Sequence, residues 1–425
     1  MTESVDAIVV GAGPAGSLAA LVLARAGRNV VLLERGPFPG SKNMYGGVVY
    51  PRVLDTVLPK WWETAPIERW ITRRQTMVLT DTQAFTADFR TEAWGMPPYN
   101  GATAFRPTFD RWLAEQAVEA GAQLICSTTA VGLLREAGRV VGVRTDRPDG
   151  DLRAPFVIAC DGVNSFLAKE AGLYDNWSPE HFTLGVKETL ALPRDVIDER
   201  FAVRGNHGVD IEIVGCTQGV PGGGFIYTNT DTLSVGVVLK LPALAKQKLR
   251  PEEIIGRMKT HPAIAPLVEG ADVKEFSAHV IPEGGYRAMP KLTAPGLLIA
   301  GDAAATCLAA GIWLEGVNFA MGSGIAAAKS VLGGGGDLDA RYRKELGWVL
   351  ADHKKLQNIP DLMLSPRLQG DMPGLVCDVV QRLFQVDNPT PKPGLRRITR
   401  SVIKARNLRY RDLARDGWTA LKGFG

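Results

Sequence analysis

Three stretches of this 425-residue chain each place a glycine turn and a carboxylate at the end of an apolar run. In the first, Val5-Asp-Ala-Ile-Val-Val10 leads into Gly11-Ala-Gly13-Pro14-Ala15-Gly16, and a second run, Asn29-Val-Val-Leu-Leu33, ends at Glu34 and Arg35. Three glycines at this spacing allow a tight turn, close approach of backbone to a pyrophosphate, and close helix–strand packing. The N–H groups that open the following helix face the phosphates, and Glu34 can hold ribose hydroxyls, so the unit reads as a dinucleotide-binding βαβ. The second stretch is Ala159-Cys160-Asp161-Gly162-Val-Asn164-Ser. The third is Gly301-Asp302-Ala303-Ala304, which runs through Gly311 to Gly316, Val317 and Asn318 at the start of a helix.

An acid at the end of such a strand can accept a hydrogen bond from a polyol chain, and FAD has a ribityl chain where NAD has none. Backbone N–H groups at Gly316, Val317 and Asn318 would stabilise negative charge near the flavin pyrimidine ring. A lone GxGxxG is a weak signal, but the ordered set of GxGxxG, Asp-Gly and Gly-Asp points to FAD.

The elements that must position these groups alternate in type. Arg106–Gly121 has the helical spacing of Phe109, Leu113 and Ala117, Gln123–Cys126 and Val140–Arg144 are strands, and Pro155–Cys160 is a buried strand. From about Phe182 to His279 strands and glycine turns alternate as in an antiparallel sheet. Leu297–Ala300 returns to the buried parallel type, followed by a small-residue helix over Val317–Val331. The reading is therefore α/β, with a discontinuous FAD-binding domain (1–85, 105–175 and 280–335) interrupted by a substrate domain (86–104 and 176–279). After Gly333–Gly336, residues 336–425 form a helical region. From Pro391 onward ten Lys or Arg stand against two Asp, a local +8 in a chain of net +4. The five cysteines are scattered with no metal-like spacing, which argues for a reducing compartment and against a metal site. The acidic N-terminus has no basic n-region, so the expected location is cytoplasmic, with peripheral contact at the inner face of the cell membrane left open by the tail.

The three fingerprints place the chain in the glutathione-reductase-like flavoprotein class, and it resembles the FixC branch of the electron transfer flavoprotein–quinone oxidoreductases. That resemblance is carried by Gly40-Ser-Lys-Asn-Met-Tyr-Gly46-Gly47, Asp161-Gly-Val-Asn-Ser165, Gly185-Val-Lys-Glu188, Gly222-Gly-Gly-Phe-Ile-Tyr-Thr-Asn229, His261-Pro262 and Ser277-Ala-His-Val-Ile-Pro-Glu283. It implies that Gly11, Gly13, Gly16, Glu34, Arg106, Asp161 and Asp302 contact FAD, with Pro14, Ala15, Arg35, Gly46, Gly47, Val131, Gly162 and Gly301 completing the set. It implies that Gly222 and Gly223 line a quinone pocket, and that the electron donor is an electron transfer flavoprotein of the FixA/FixB kind. The quinone oxidoreductases end in a cysteine-rich 4Fe–4S segment, whereas the C-terminal part here has only Cys377; the resemblance therefore implies a separate ferredoxin-like FixX subunit. The basic tail is the expected docking face for it. A prenyl-double-bond reductase of the geranylgeranyl type is the competing reading. No nucleic-acid partner is expected.

Other residues carry two readings each. Leu395, Ile398, Val402, Ile403 and Leu408 with intervening arginines read as one basic amphipathic helix, for a partner, a membrane surface, or plain docking. Trp61, Trp62 and Trp70 read as packing or as a quinone entrance, and Trp313 as a neighbour of the flavin or as loop packing. His279, Tyr227 and Arg287 are candidates to orient a quinone oxygen. No general acid is assigned, because a flavin electron conduit needs proximity, orientation and a tuned potential more than an acid–base pair.

Overall fold

A computed structural model describes residues 5–42, 47–175, 178–310 and 313–424. Its first layer is a six-stranded sheet in the order Thr293–Ala294, Leu297–Ile299, Phe156–Ala159, Ala7–Val10, Val30–Leu33, Gln123–Ile125, parallel but for the first pair. The Ala7–Val10, Val30–Leu33 and Leu297–Ile299 strands are buried throughout, which is why they read as unbroken apolar runs. Helices Pro14–Arg25 and Val317–Leu332 pack together over it. Gly324 makes that contact possible, since a Cβ there would fall 2.0 Å from the Ala15 carbonyl oxygen.

The second layer is a nine-stranded mixed sheet. Across it run Asp272–Pro282, Phe182–Ala191, Thr232–Lys240, Gly222–Thr228, His207–Val214, Arg69–Leu79, Ala102–Ala104 and Gly47–Val49, with Ala84–Arg90 beside Arg69–Leu79. One face buries Met77, Val186, Ile211, Ile213, Ile226, Val235 and Val237 in a second apolar core, which takes in Ile197 of helix Arg194–Arg200 and Ile254, Ile255 and Met258 of helix Pro251–Lys259. Each such side chain contributes ~1.5–3 kcal/mol relative to exposure, so strand alternation here is strongly fixed.

Two boundaries differ from the sequence reading. Residues 47–79, assigned there to the FAD-binding domain, contribute strands to this larger sheet: Arg69–Leu79 runs parallel to His207–Val214 from Trp70 opposite His207 to Val78 opposite Val214. That pairing, between residues 136 apart at Arg74 and Asp210, leaves no local signal of which sheet the strand joins. The tail is not one helix either. Leu395–Ala405 and Tyr410–Phe424 are separate helices, broken where Asn407 takes φ +53. Among the described residues, no helix is long and apolar enough to cross a membrane.

Candidate functional site

The carboxyl ends of the parallel strands build a cradle. Gly11 has φ +98, and a Cβ on it would lie 2.3 Å from the Cys160 carbonyl oxygen; one on Gly16 would lie 1.8 Å from the Gly11 oxygen. Both obstacles are backbone, so no side chain fits. Gly13 differs, because a Cβ there would meet nothing within 4 Å. That open space lies at the start of helix Pro14–Arg25, whose first N–H groups lack intrahelical acceptors. Gly162, with φ +71, also faces open space.

Glu34 is buried at the end of its strand, accepting from Ala12 N at 3.0 Å on Oε2 and from Gly36 N at 2.7 Å on Oε1. Each oxygen keeps acceptor capacity for a hydroxyl. Ser127 N and Thr128 N donate to the Gly36 and Glu34 carbonyls at 2.8 and 2.9 Å, bringing the chain that leads to Val131 alongside; Val131 and Arg35 are exposed. Asp161 accepts from Leu167 N at 3.0 Å on Oδ2, while its buried Oδ1 has no donor.

At the other end, Arg106 forks onto Asp110 with both contacts at 2.8 Å and lies within electrostatic reach of Asp302. Burial pushes the Asp302 carboxyl above its ordinary range, against the opposing pull of His279 and Arg106. Gly301 N donates to Ser323 Oγ at 2.8 Å. Helix Val317–Leu332 starts at Gly316, and Asn318 donates to Glu315 Oε2 at 2.6 Å while its buried Oδ1 is unpartnered. Buried acceptors without donors at Asp161 and Asn318, and the open space over Gly13, fit a ligand with polyol, imide and pyrophosphate groups. Gly46 lies outside the described residues, and Gly47 opens a strand of the larger sheet.

Facing this cradle is the second face of the larger sheet. Register sets Arg74 opposite Asp210, Asp210 opposite Tyr227, Tyr227 opposite Ser234, and Ser234 opposite Thr189. One row on, Glu212, Phe225, Gly236 and Lys187 are likewise opposed, and a further row aligns Gly223, Val238, Gly185 and His279. Phe225 lies over Gly236, where a Cβ would meet its ring at 2.5 Å, and stacks on Tyr227 at 4.7 Å. Burial pushes the Lys187 ammonium down to about 7, with Glu275 opposing and Arg106 adding to the effect. Arg74 Nη2 sits 2.8 Å from Asp210 Oδ2 and 3.8 Å from Glu212 Oε1, and its guanidinium lies 4.8 Å from the Trp313 ring. Burial drives Glu212 well above the usual carboxyl range, and the Asp210 charge adds to this while Arg74 opposes it.

The FAD binding domain family matches residues 4–196, and the ETF-QO/FixC family C-terminal domain matches residues 359–425. Protein FixC of Escherichia coli K12 is 40% identical over 427 residues, covering 98% of each chain. The chain belongs to the ETF-QO/FixC family. It is an FAD-dependent oxidoreductase. Protein FixC of Azotobacter vinelandii is also 40% identical, over 96% of each chain, and so is a probable electron transfer flavoprotein-quinone oxidoreductase, YdiS, of E. coli K12, over 92% of this chain and 93% of that one. In fold the chain is similar to a geranylgeranyl bacteriochlorophyll reductase-like protein from Thermoplasma acidophilum (TM-score 0.72, 19% identity, 95% and 99% of the two chains) and to the flavin-dependent brominase Bmp2 (TM-score 0.63, 17% identity, 95% and 99%).

Within this FixC-family chain, Gly223 lies in the sheet face described above, and Gly222, at φ +150, passes so close to the next strand that a Cβ would meet Val238 O at 1.9 Å. The C-terminal helices reach the same spot: Gln369 donates to the Gly222 carbonyl and accepts from Gly215 N at 2.8 Å. His279 and Tyr227 join the site, but Arg287 is exposed and binds Asn358 at 2.7 Å on the C-terminal region instead. Trp61 and Trp70 are buried, and Trp70 stacks on Tyr99 at 3.6 Å. Arg74, Asp210, Glu212 and Lys187 escaped the sequence reading as site residues. The signal for two of them was Asp210-Ile-Glu212-Ile, charges at strand spacing within a buried strand.

Proposed function

We propose that this chain takes electrons from an electron transfer flavoprotein and passes them to a quinone, to a ferredoxin-like FixX subunit, or to both. The observation that carries the reading is the face opposite the cradle: apolar and aromatic at Gly223, Val238 and Phe225, polar at Tyr227, Asp210, Glu212 and Arg74. A quinone is an apolar ring with two oxygens, and a half-polar wall suits it. The name borne by YdiS supports the same substrate class. A prenyl-saturating reductase would need a long apolar tunnel, and the Arg74–Asp210–Glu212 group counts against that.

Bound FAD supplies the two-electron chemistry. The chain's own residues would hold and orient it: Glu34 the adenosine ribose, the Gly11–Gly16 turn and its helix the pyrophosphate, Asp161, Asp302 and Arg106 the region of the ribityl chain, and Gly316–Asn318 the pyrimidine edge. A 4Fe–4S cluster takes four thiolates, and in the C-terminal part Cys377 is alone, buried and 3.6 Å from the Val78 carbonyl. A cluster in this pathway would sit on the ferredoxin-like FixX subunit proposed above. The test is stopped-flow bleaching of the yellow holoenzyme. A reduced electron transfer flavoprotein should bleach it quickly and NADPH alone slowly; rapid bleaching by NADPH alone would overturn the reading.

A further inference from the structure

Asp210 and Glu212 share one strand face, and nothing in the electron path described so far requires two carboxyl groups there. Asp210 is 1% exposed, and neither of its oxygens accepts a hydrogen bond; the 2.8 Å approach of Arg74 Nη2 is an ion pair outside hydrogen-bond angles. Two buried carboxylates beside a single guanidinium would leave one negative charge uncompensated. One proton on the pair removes that excess, and a protonated Glu212 can donate to an Asp210 carboxylate oxygen, neither of which has a donor. Glu212 is the natural holder, because Arg74 is 2.8 Å from Asp210 and 3.8 Å from Glu212. The charged and titratable groups that bear on the pair are Arg74 on the strand beside it, Tyr227 on the other side, Tyr50, and through Tyr50 Glu315. Burial and the carboxylates push both phenols up, so they stay neutral donors.

We infer that Glu212, paired with Asp210, is a proton store that protonates the substrate oxygen as the quinone is reduced. The inference rests on the quinone reading above. A quinone takes two electrons and two protons and forms two O–H bonds. Bound FAD would supply the two electrons and one of these protons, so the other must come from the protein or from solvent. Glu212 breaks its O–H bond to supply it, Arg74 stabilises the carboxylate left behind, and solvent returns the proton.

The test separates the half-reactions of the holoenzyme and adds a spectroscopic readout. Reoxidation of the reduced holoenzyme by a short-chain benzoquinone should slow by about 10²-fold or more in Glu212→Gln. Its pH dependence in the wild type should fall away as Glu212 deprotonates and should flatten in the variant. In Asp210→Asn, loss of the neighbouring negative charge should move that edge to lower pH. The infrared difference spectrum, wild type minus Glu212→Gln at pH 7, should contain a protonated-carboxyl C=O band, the contributions of Glu283 and Asp302 cancelling. Reoxidation of Glu212→Gln at the wild-type rate would overturn the inference. So would the absence of that band from the difference spectrum, or an Asp210→Asn edge that does not move. A wild type that quinone cannot reoxidise overturns the quinone reading instead, and the infrared band then decides the proton store by itself.

Discussion

At the scale of single residues, the site holds buried acids that disfavour folding and favour binding. Asp302 is enclosed, with its carboxyl raised by burial and only partly compensated by His279 and Arg106. Replacing it by Ala should weaken FAD by about 10- to 100-fold, the ~1.5–3 kcal/mol of a charge-assisted hydrogen bond. The FAD-stripped variant should melt no lower than the stripped wild type, because the substitution removes a desolvated charge and leaves Arg106 paired with Asp110. Titration of stripped protein with FAD and a melting curve of each form check both halves. Glu283 makes the complementary case. Burial lifts its carboxyl from 4.5 to about 7, and Thr183 Oγ donates to it. A raised acid favours the folded state fully below its unfolded value and loses that contribution as pH rises through about 7. Stability should therefore fall between about pH 4.5 and 7, by ~3 kcal/mol at most for this group. Glu283→Gln keeps the shape and should flatten that segment of the melting-temperature profile while raising stability at pH 8.

At the scale of elements, the glycine at the crossing of the two cradle helices sets how closely they approach. A methyl at Gly324 would meet the Ala15 carbonyl oxygen at 2.0 Å, with the Ala15 Cα 2.9 Å away, so helix Val317–Leu332 would have to lift from helix Pro14–Arg25. Gly324→Ala should lower stability by ~1–3 kcal/mol, as overpacking does. FAD retention should fall with it, since Gly316–Asn318 and Ala15 move apart; thermal unfolding and the ratio of flavin to protein absorbance read the two effects. The same contrast governs what was legible beforehand. Both helices and the strands at 7–10, 30–33 and 156–159 were readable because their apolar period or run is local. Glu34, Asp161 and Asp302 were readable because each ends such a run. Arg74, Asp210 and Glu212 were not, because their meeting is a matter of register between strands 136 residues apart at Arg74 and Asp210. The tail break at Asn407 was missed because its flanking residues keep nearly helical apolar spacing while one left-handed residue redirects the chain.

At the scale of the whole molecule, charge is segregated: the last 35 residues carry +8, leaving −4 on the rest. Helix Leu395–Ala405 turns Ile398, Val402 and Ile403 inward and leaves Arg396, Arg397, Arg400 and Lys404 exposed. Asp416 and Asp378 are already engaged by Arg367 and Arg406, at 2.6–2.8 and 2.8 Å, and these pairs anchor the tail to the preceding helices. An unneutralised basic face of this kind accelerates encounter with an acidic redox partner, and its reach is the Debye length, ~10 Å at 0.1 M salt. The rate of electron exchange with an acidic ferredoxin-like partner should thus fall steeply with ionic strength. Arg396→Glu/Arg397→Glu/Arg400→Glu should reduce it by roughly tenfold or more at low salt and by much less at 0.5 M, where steering is ~3–5 Å in range. FAD content and melting temperature should stay close to wild type, because the three side chains are solvated. Measured without lipid, the outcome also separates a protein partner from a membrane: a rate insensitive to both salt and charge reversal would leave the tail with no part in encounter with a soluble partner.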